Sequence, residues 1–175
     1  MHKQALIIGY GNPLRGDDGL GWEVAGRLAA SITDPSVAII TAHQLMPELA
    51  EPIHEAELVI FVDASSEGDP GAWRCAEAAP SPAYAPALGH HFDVAGLLAY
   101  SESVFQTCPR ALLVSVTAET FACHDALSPC VEKALPAVVR FIQSKIAEAT
   151  GFGTRNSRNW TREDEKQTEL SPMLL

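Results

Sequence analysis

Four short apolar runs constrain this chain more than any other feature. They are Ala5-Leu6-Ile7-Ile8, Val37-Ala38-Ile39-Ile40, Leu58-Val59-Ile60-Phe61-Val62 and Ala111-Leu112-Leu113-Val114-Ser115-Val116. None alternates apolar with polar, so each reads as a strand buried on both faces. Between them lie segments of helical period. Trp22, Val24, Ala25 and Leu28 mark a helix from about Leu20 to Ala30, and a second runs from about Val94 to Ser103. Val131, Leu135, Val138, Ile142 and Ile146 stripe a last helix from Pro129 to Ala149, with Ser128 placed to cap it. Pro47 opens a further short helix, and Trp73-Arg74-Cys75 reads as an edge strand. Pro80, Pro82 and Pro86 mark residues 79–88 as a loop. Strands alternating with helices predict an α/β fold: a three-layer sandwich, its twisted, mostly parallel central sheet carrying helices on both faces.

The chain has 175 residues, 47% of them hydrophobic, which suits one domain with a real core. That domain is expected over residues 1–150. After Gly151 the sequence turns polar, with Trp160 the single large apolar residue between Thr154 and Glu169, so residues 151–175 read as a flexible polar tail. The net charge of −10 sits entirely on residues 1–150, because the tail's acidic and basic residues balance. Such acidity argues against a nucleic-acid binder and against docking on anionic membranes. No apolar run approaches the roughly 18 residues of a membrane span. Met1-His2-Lys3-Gln4 leads straight into the first strand without a signal peptide's longer apolar region, so a cytoplasmic protein is expected. The cysteines agree. Cys75, Cys108, Cys123 and Cys130 form no CxxC pair and read as buried or incidental thiols.

In open α/β sheets, ligands bind at the carboxyl ends of the strands. That rule selects the loop Gly9–Gly19, Asp63 directly after the third strand, and the loop holding His90 and His91. Gly9-Tyr10-Gly11 begins like a dinucleotide fingerprint, but Pro13 to Asp18 does not complete it, and no GK[ST] follows to make a P-loop. Asp17 and Asp18 would repel a pyrophosphate. The two aspartates either cap the following helix or serve a metal. A carboxylate from the first loop, another from the third strand and a histidine suit a divalent ion such as zinc or nickel, with positions left open for water or substrate.

The stretch Gly9-Tyr10-Gly11-Asn12-Pro13-Leu14-Arg15-Gly16-Asp17-Asp18-Gly19-Leu20-Gly21 resembles the N-terminal signature of the hydrogenase maturation endopeptidases, G-x-G-N-x-L-x-x-D-(D/E)-x-x-G. The resemblance continues through His43-Gln44-Leu45-Met46-Pro47-Glu48-Leu49, Val62-Asp63-Ala64, His90-His91-Phe92 and Leu127-Ser128-Pro129, and so spans about residues 4–149. It implies a twisted, mostly parallel sheet between helices. It also implies an enzyme that removes the C-terminal extension of a nickel–iron hydrogenase large-subunit precursor after nickel insertion. Carried over by position, the metal and catalytic residues are Asp18, Asp63 and His90. His91 is the alternative to His90, which is favoured by its distance before Leu97-Leu98. Asp18 stands where the family often has Glu, a shorter reach with the same charge. His43 could face the site, as a substrate contact or a structural residue.

No GxSxG elbow and no HExxH motif is present, so metal-assisted peptide cleavage is the economical mechanism. The resemblance implies that the nickel arrives with the substrate, although other divalent ions could occupy the site. Two rival readings are a non-catalytic nickel-site chaperone of the large subunit and a nucleotide-binding α/β protein. The sequence leaves the oligomeric state open.

Overall fold

The structure is a computed structural model that describes residues 2–81 and 92–151. Its strands are β1 (Lys3–Tyr10), β2 (Val37–Ala42), β3 (Ala56–Ser65), β4 (Trp73–Ala78) and β5 (Arg110–Thr117). Its helices are α1 (Leu20–Ser31), α2 (Ala50–His54), α3 (Val94–Phe105) and α4 (Pro129–Ala149). Short 3-10 turns at Gly16–Gly19 and Pro47–Leu49 lead into α1 and α2.

The five strands form one sheet in the order β2-β1-β3-β5-β4. Neighbours are parallel except β4, which runs antiparallel to β5 at the edge. The buried strands make two cores, one on each face. Ala5, Ile7, Ile60, Val62 and Val114 pack against Leu20, Val24 and Leu28 of α1 and the Val131, Leu135, Val138, Ile142, Ile146 stripe of α4. Leu6, Ile8, Val59 and Phe61 face the other way, against Leu45, Ile53 and, in α3, Leu97 and Leu98. A strand buried on both faces can afford no polar position, which is why these runs are continuously apolar. The three-layer sandwich expected from the sequence is the architecture found.

Two details differ from the sequence reading. Asp63 lies within β3, not after it. Pairing with β1 stops at Gly9↔Val62, but pairing with β5 continues through Asp63↔Ser115 to Ser65↔Thr117. Ser128 occupies the N-cap position of α4 without capping it by its side chain; its hydroxyl is committed elsewhere. The cysteines are free thiols, as read from the sequence, with Cys108 and Cys123 exposed and Cys75 and Cys130 half-buried. No helix among the described residues is long and apolar enough to cross a membrane. The tail expected beyond Gly151 lies outside the described residues.

Candidate active site

The Gly9–Gly19 loop is built by close approach between β1 and the start of α1. A Cβ on Gly21 would sit 2.8 Å from the carbonyl oxygen of Val62, and one on Gly9 would overlap the Gly21 backbone. Any side chain at either position would lift α1 off the carboxyl edge of the sheet. Gly11 adopts φ 124°, a conformation that side chains rarely take. The Trp22 indole N–H then ties the loop down, donating to the carbonyls of Gly11 (2.9 Å) and Ala42 (3.2 Å). His43 is exposed and packs its ring against Trp22, with centroids 5.1 Å apart. It supports this corner rather than joining the carboxylates.

The adjacent aspartates of this loop have separate fates. Asp17 is fully buried. Its carboxylate accepts backbone N–H bonds from Ser128 (2.7 Å), Glu119 (2.7 Å) and Thr120 (3.1 Å), and a further bond from the Ser128 hydroxyl (2.9 Å). Burial opposes its ionisation, but the bonds from Ser128, Thr120 and Glu119 outweigh it and hold the carboxyl below its ordinary range. Asp17 therefore neither caps α1 nor serves a ligand; it latches loop one to the segment that follows β5. The same junction is reinforced by Gly16 N–H donating to the His124 carbonyl (2.7 Å) and His124 N–H to the Leu14 carbonyl (3.1 Å).

Asp18 points the other way, half-buried at the rim, with Oδ2 accepting the Asn12 N–H at 3.0 Å. Asp63 faces the same rim from β3, just past the last β1–β3 pair. Burial pushes its pKa up to about 6. Hydrogen bonds from the Tyr10 hydroxyl and the Ala64 N–H (2.8 Å) pull against that rise, and the Asp18 charge adds to it. The Tyr10 hydroxyl is itself driven above its usual range, by burial first and then by the neighbouring Asp63 and Asp93 carboxylates. Tyr10 therefore stays protonated and remains a donor.

His90 and His91 lie outside the described residues. The chain re-enters at Phe92, which packs with Tyr10 against the second core, and at Asp93, which caps α3 by accepting the Gly96 N–H (2.7 Å). Among the described residues no group of three or more His, Cys, Asp or Glu is placed to hold a metal ion. The described site thus consists of Asp18 and Asp63. The Asp18 charge raises the cost of ionising Asp63, and two such carboxylates form a donor set suited to a cation and hostile to a nucleotide phosphate.

Sequence reasoning did not single out Tyr10, and it missed the partnership of Asp17 with Ser128. Tyr10 falls at the unspecified position of G-x-G, so no motif points to it; only the parallel register beside Asp63 does. Asp17 and Ser128 are 111 residues apart, and nothing local joins them.

No protein-family model matches the chain, and no curated protein matches it at significant similarity. Solved structures do. The chain is similar to the hydrogenase maturating endopeptidase HybD from E. coli, with 21% identity, a TM-score of 0.71, and 85% of this chain and 94% of that one covered. The fold of this chain is the one found in the hydrogenase maturation endopeptidases. A hydrogenase 2 maturation peptidase from a Thaumarchaeota archaeon is 25% identical, with a TM-score of 0.60 over 85% of this chain and 99% of its own. The NiFe hydrogenase maturation protease HycI from Thermococcus kodakarensis KOD1 is also 25% identical, with a TM-score of 0.64 over 82% and 92%. Peptidases of hydrogenase maturation are thus the structural relatives that the loop-one signature led us to expect.

Proposed function

We propose that this chain is an endopeptidase that removes the C-terminal extension of a NiFe-hydrogenase large-subunit precursor once nickel is in place. The observation that carries the reading is the pairing of Asp18 and Asp63 at the carboxyl edge of the sheet. His90 is the third member of the proposed site, with His91 as its alternative. The precursor brings the nickel, so the ion is part of the substrate and tells a metallated precursor from an empty one. Other divalent ions fit the same oxygen donors.

The residues divide the work. Asp18 is fixed by Asn12 and presents carboxylate oxygen to the cation. Asp63 presents the second carboxylate, and in the absence of a cation burial holds its pKa at about 6, within the range of a general acid–base group. Tyr10 holds the Asp63 carboxyl from one side and the Ala64 N–H holds it from the other. Held by these residues, the precursor's nickel would polarise the scissile carbonyl or activate a water for its attack.

Coexpression with each candidate large-subunit precursor, followed by mass measurement with and without nickel, tests this. The expected result is a loss of C-terminal mass only with nickel. Binding of the nickel-loaded precursor without any mass loss would instead establish the chaperone reading.

A further inference from the structure

The two edges of the sheet are unequal. Edge strand β4 (Trp-Arg-Cys-Ala-Glu-Ala) carries Arg74 and Glu77; Glu77 pairs with Arg110 at 3.3 Å, and Arg74 donates to the Ser115 hydroxyl. Charges of this kind are what keep sheet edges from recruiting further strands. Edge strand β2 (Val-Ala-Ile-Ile-Thr-Ala) has none, and no proline. Among the described residues β2 pairs only with β1.

Its outward hydrogen-bonding groups follow from the register. Ala5 lies opposite Val37 and donates to the Ser36 carbonyl, while Gly11 donates to the Ala42 carbonyl. In a parallel pair this phase commits Ala38, Ile40 and Ala42 to β1. The N–H and C=O groups of Ile39 and Thr41 therefore aim away from the sheet, together with the Val37 carbonyl; the Val37 N–H is taken by Asp34 (3.1 Å). Donors and acceptors recurring about every 6.6 Å along a straight edge match one ligand, the backbone of another extended polypeptide. The strand ends at the candidate site: the Ala42 carbonyl accepts from both Gly11 and the Trp22 indole, inside the loop that carries Asp18.

We propose that β2 is the docking edge for the extended C-terminal segment of the precursor, which adds as a sixth strand outside β2 and then turns across the carboxyl edge to Asp18 and Asp63. This rests on the endopeptidase reading and names how that substrate is held. The spacing sets a distance. Strands lie about 4.8 Å apart, so the added strand runs about 14 Å from β3, and an extended chain needs about four or five residues to cover that. The paired segment and the bond cleaved are separated by at least that many residues.

Thr41→Pro tests the proposal. Thr41 is exposed and its own N–H takes no part in the β1 ladder, so proline removes an outward donor and leaves the sheet paired. With the nickel-loaded precursor that wild type processes, KM is expected to rise about tenfold with kcat within twofold, at an unchanged melting temperature. Hydrogen exchange provides the second measurement. The Ile39 and Thr41 amides should exchange fast in the free full-length chain, and slow when the precursor is added to the Asp63→Asn variant. An unchanged KM, with both amides fast in the presence of precursor, overturns the docking edge and leaves the endopeptidase reading standing. Protection already present in the free chain also overturns it: independent of concentration it assigns the edge to residues of the chain itself, and rising with concentration to a second copy. Failure of wild type to process any precursor is a failure of the endopeptidase reading instead.

Discussion

The Asp17 latch and the Asp18–Asp63 rim are two regions built from the same chemical group with opposite outcomes. In both, burial pushes a carboxyl towards its neutral form. At the latch, four donors converge on Asp17 and reverse the push, so the charge is locked in and structural. At the rim, Asp63 has two donors and a like charge beside it, and burial wins. The count of converging N–H and O–H groups, not the depth of burial, separates a carboxylate that holds the fold from one free to exchange protons or meet a cation.

The comparison breaks most visibly at Asp17. Asp17→Ala leaves the backbone donors of Glu119, Thr120 and Ser128 without their acceptor, at a cost on the order of 3–5 kcal/mol. Chemical denaturation should show that loss, and a variant as stable as wild type would contradict the latch. At the rim the sign reverses for stability while activity falls. Asp63→Asn should reduce processing by roughly 100-fold or more while the chain stays folded, measured by precursor mass at fixed time.

The pH dependence sharpens the contrast. Asp63 rises from an ordinary value of 3.8 to about 6 in the fold, so its charged form is penalised once folded. That penalty is absent below 3.8 and fully present above about 6. Asp63→Asn should therefore melt higher than wild type at pH 8, by the equivalent of up to about 3 kcal/mol, with the gain gone near pH 3.5. Asp17 is the mirror image. Its pKa is lowered, so its stabilisation is present above 3.8 and lost as pH falls through its depressed value. Acid titration of Asp17→Ala should thus show a shallower loss of stability below pH 4 than wild type. The smallest effect is expected away from both regions. The exposed Glu23–Arg27 pair (2.8 Å, one turn apart) is worth about 0.5 kcal/mol or less, so Arg27→Ala should shift the melting temperature hardly at all.

Much of this was legible in the residues. Leu58–Val62 could only be a central strand, because a run with no polar position needs apolar cover on both faces. The carboxyl-edge rule picked out the Gly9–Gly19 loop and Asp63, and the resemblance to the hydrogenase maturation endopeptidases picked out Asp18 within that loop. Less legible was anything joined across the chain. Ser128 carried the sequence marks of a helix cap, yet its hydroxyl bonds Asp17, a partner 111 positions away. Asp17 and Asp18 are identical neighbours in sequence, and a 3-10 turn sends one inward and the other to the rim.

The sequence by itself determined the layers, the strand-and-helix order and the edge that holds the candidate site, because these follow from local periodicity and from the rule that parallel strands open at their carboxyl ends. Only the tertiary structure decided that Asp17 is a latch. It also decided that Tyr10 holds Asp63 and that β2 keeps an unguarded edge leading to both. Those properties depend on how many hydrogen-bond partners arrive from distant segments, and that number exists only once the chain has closed on itself.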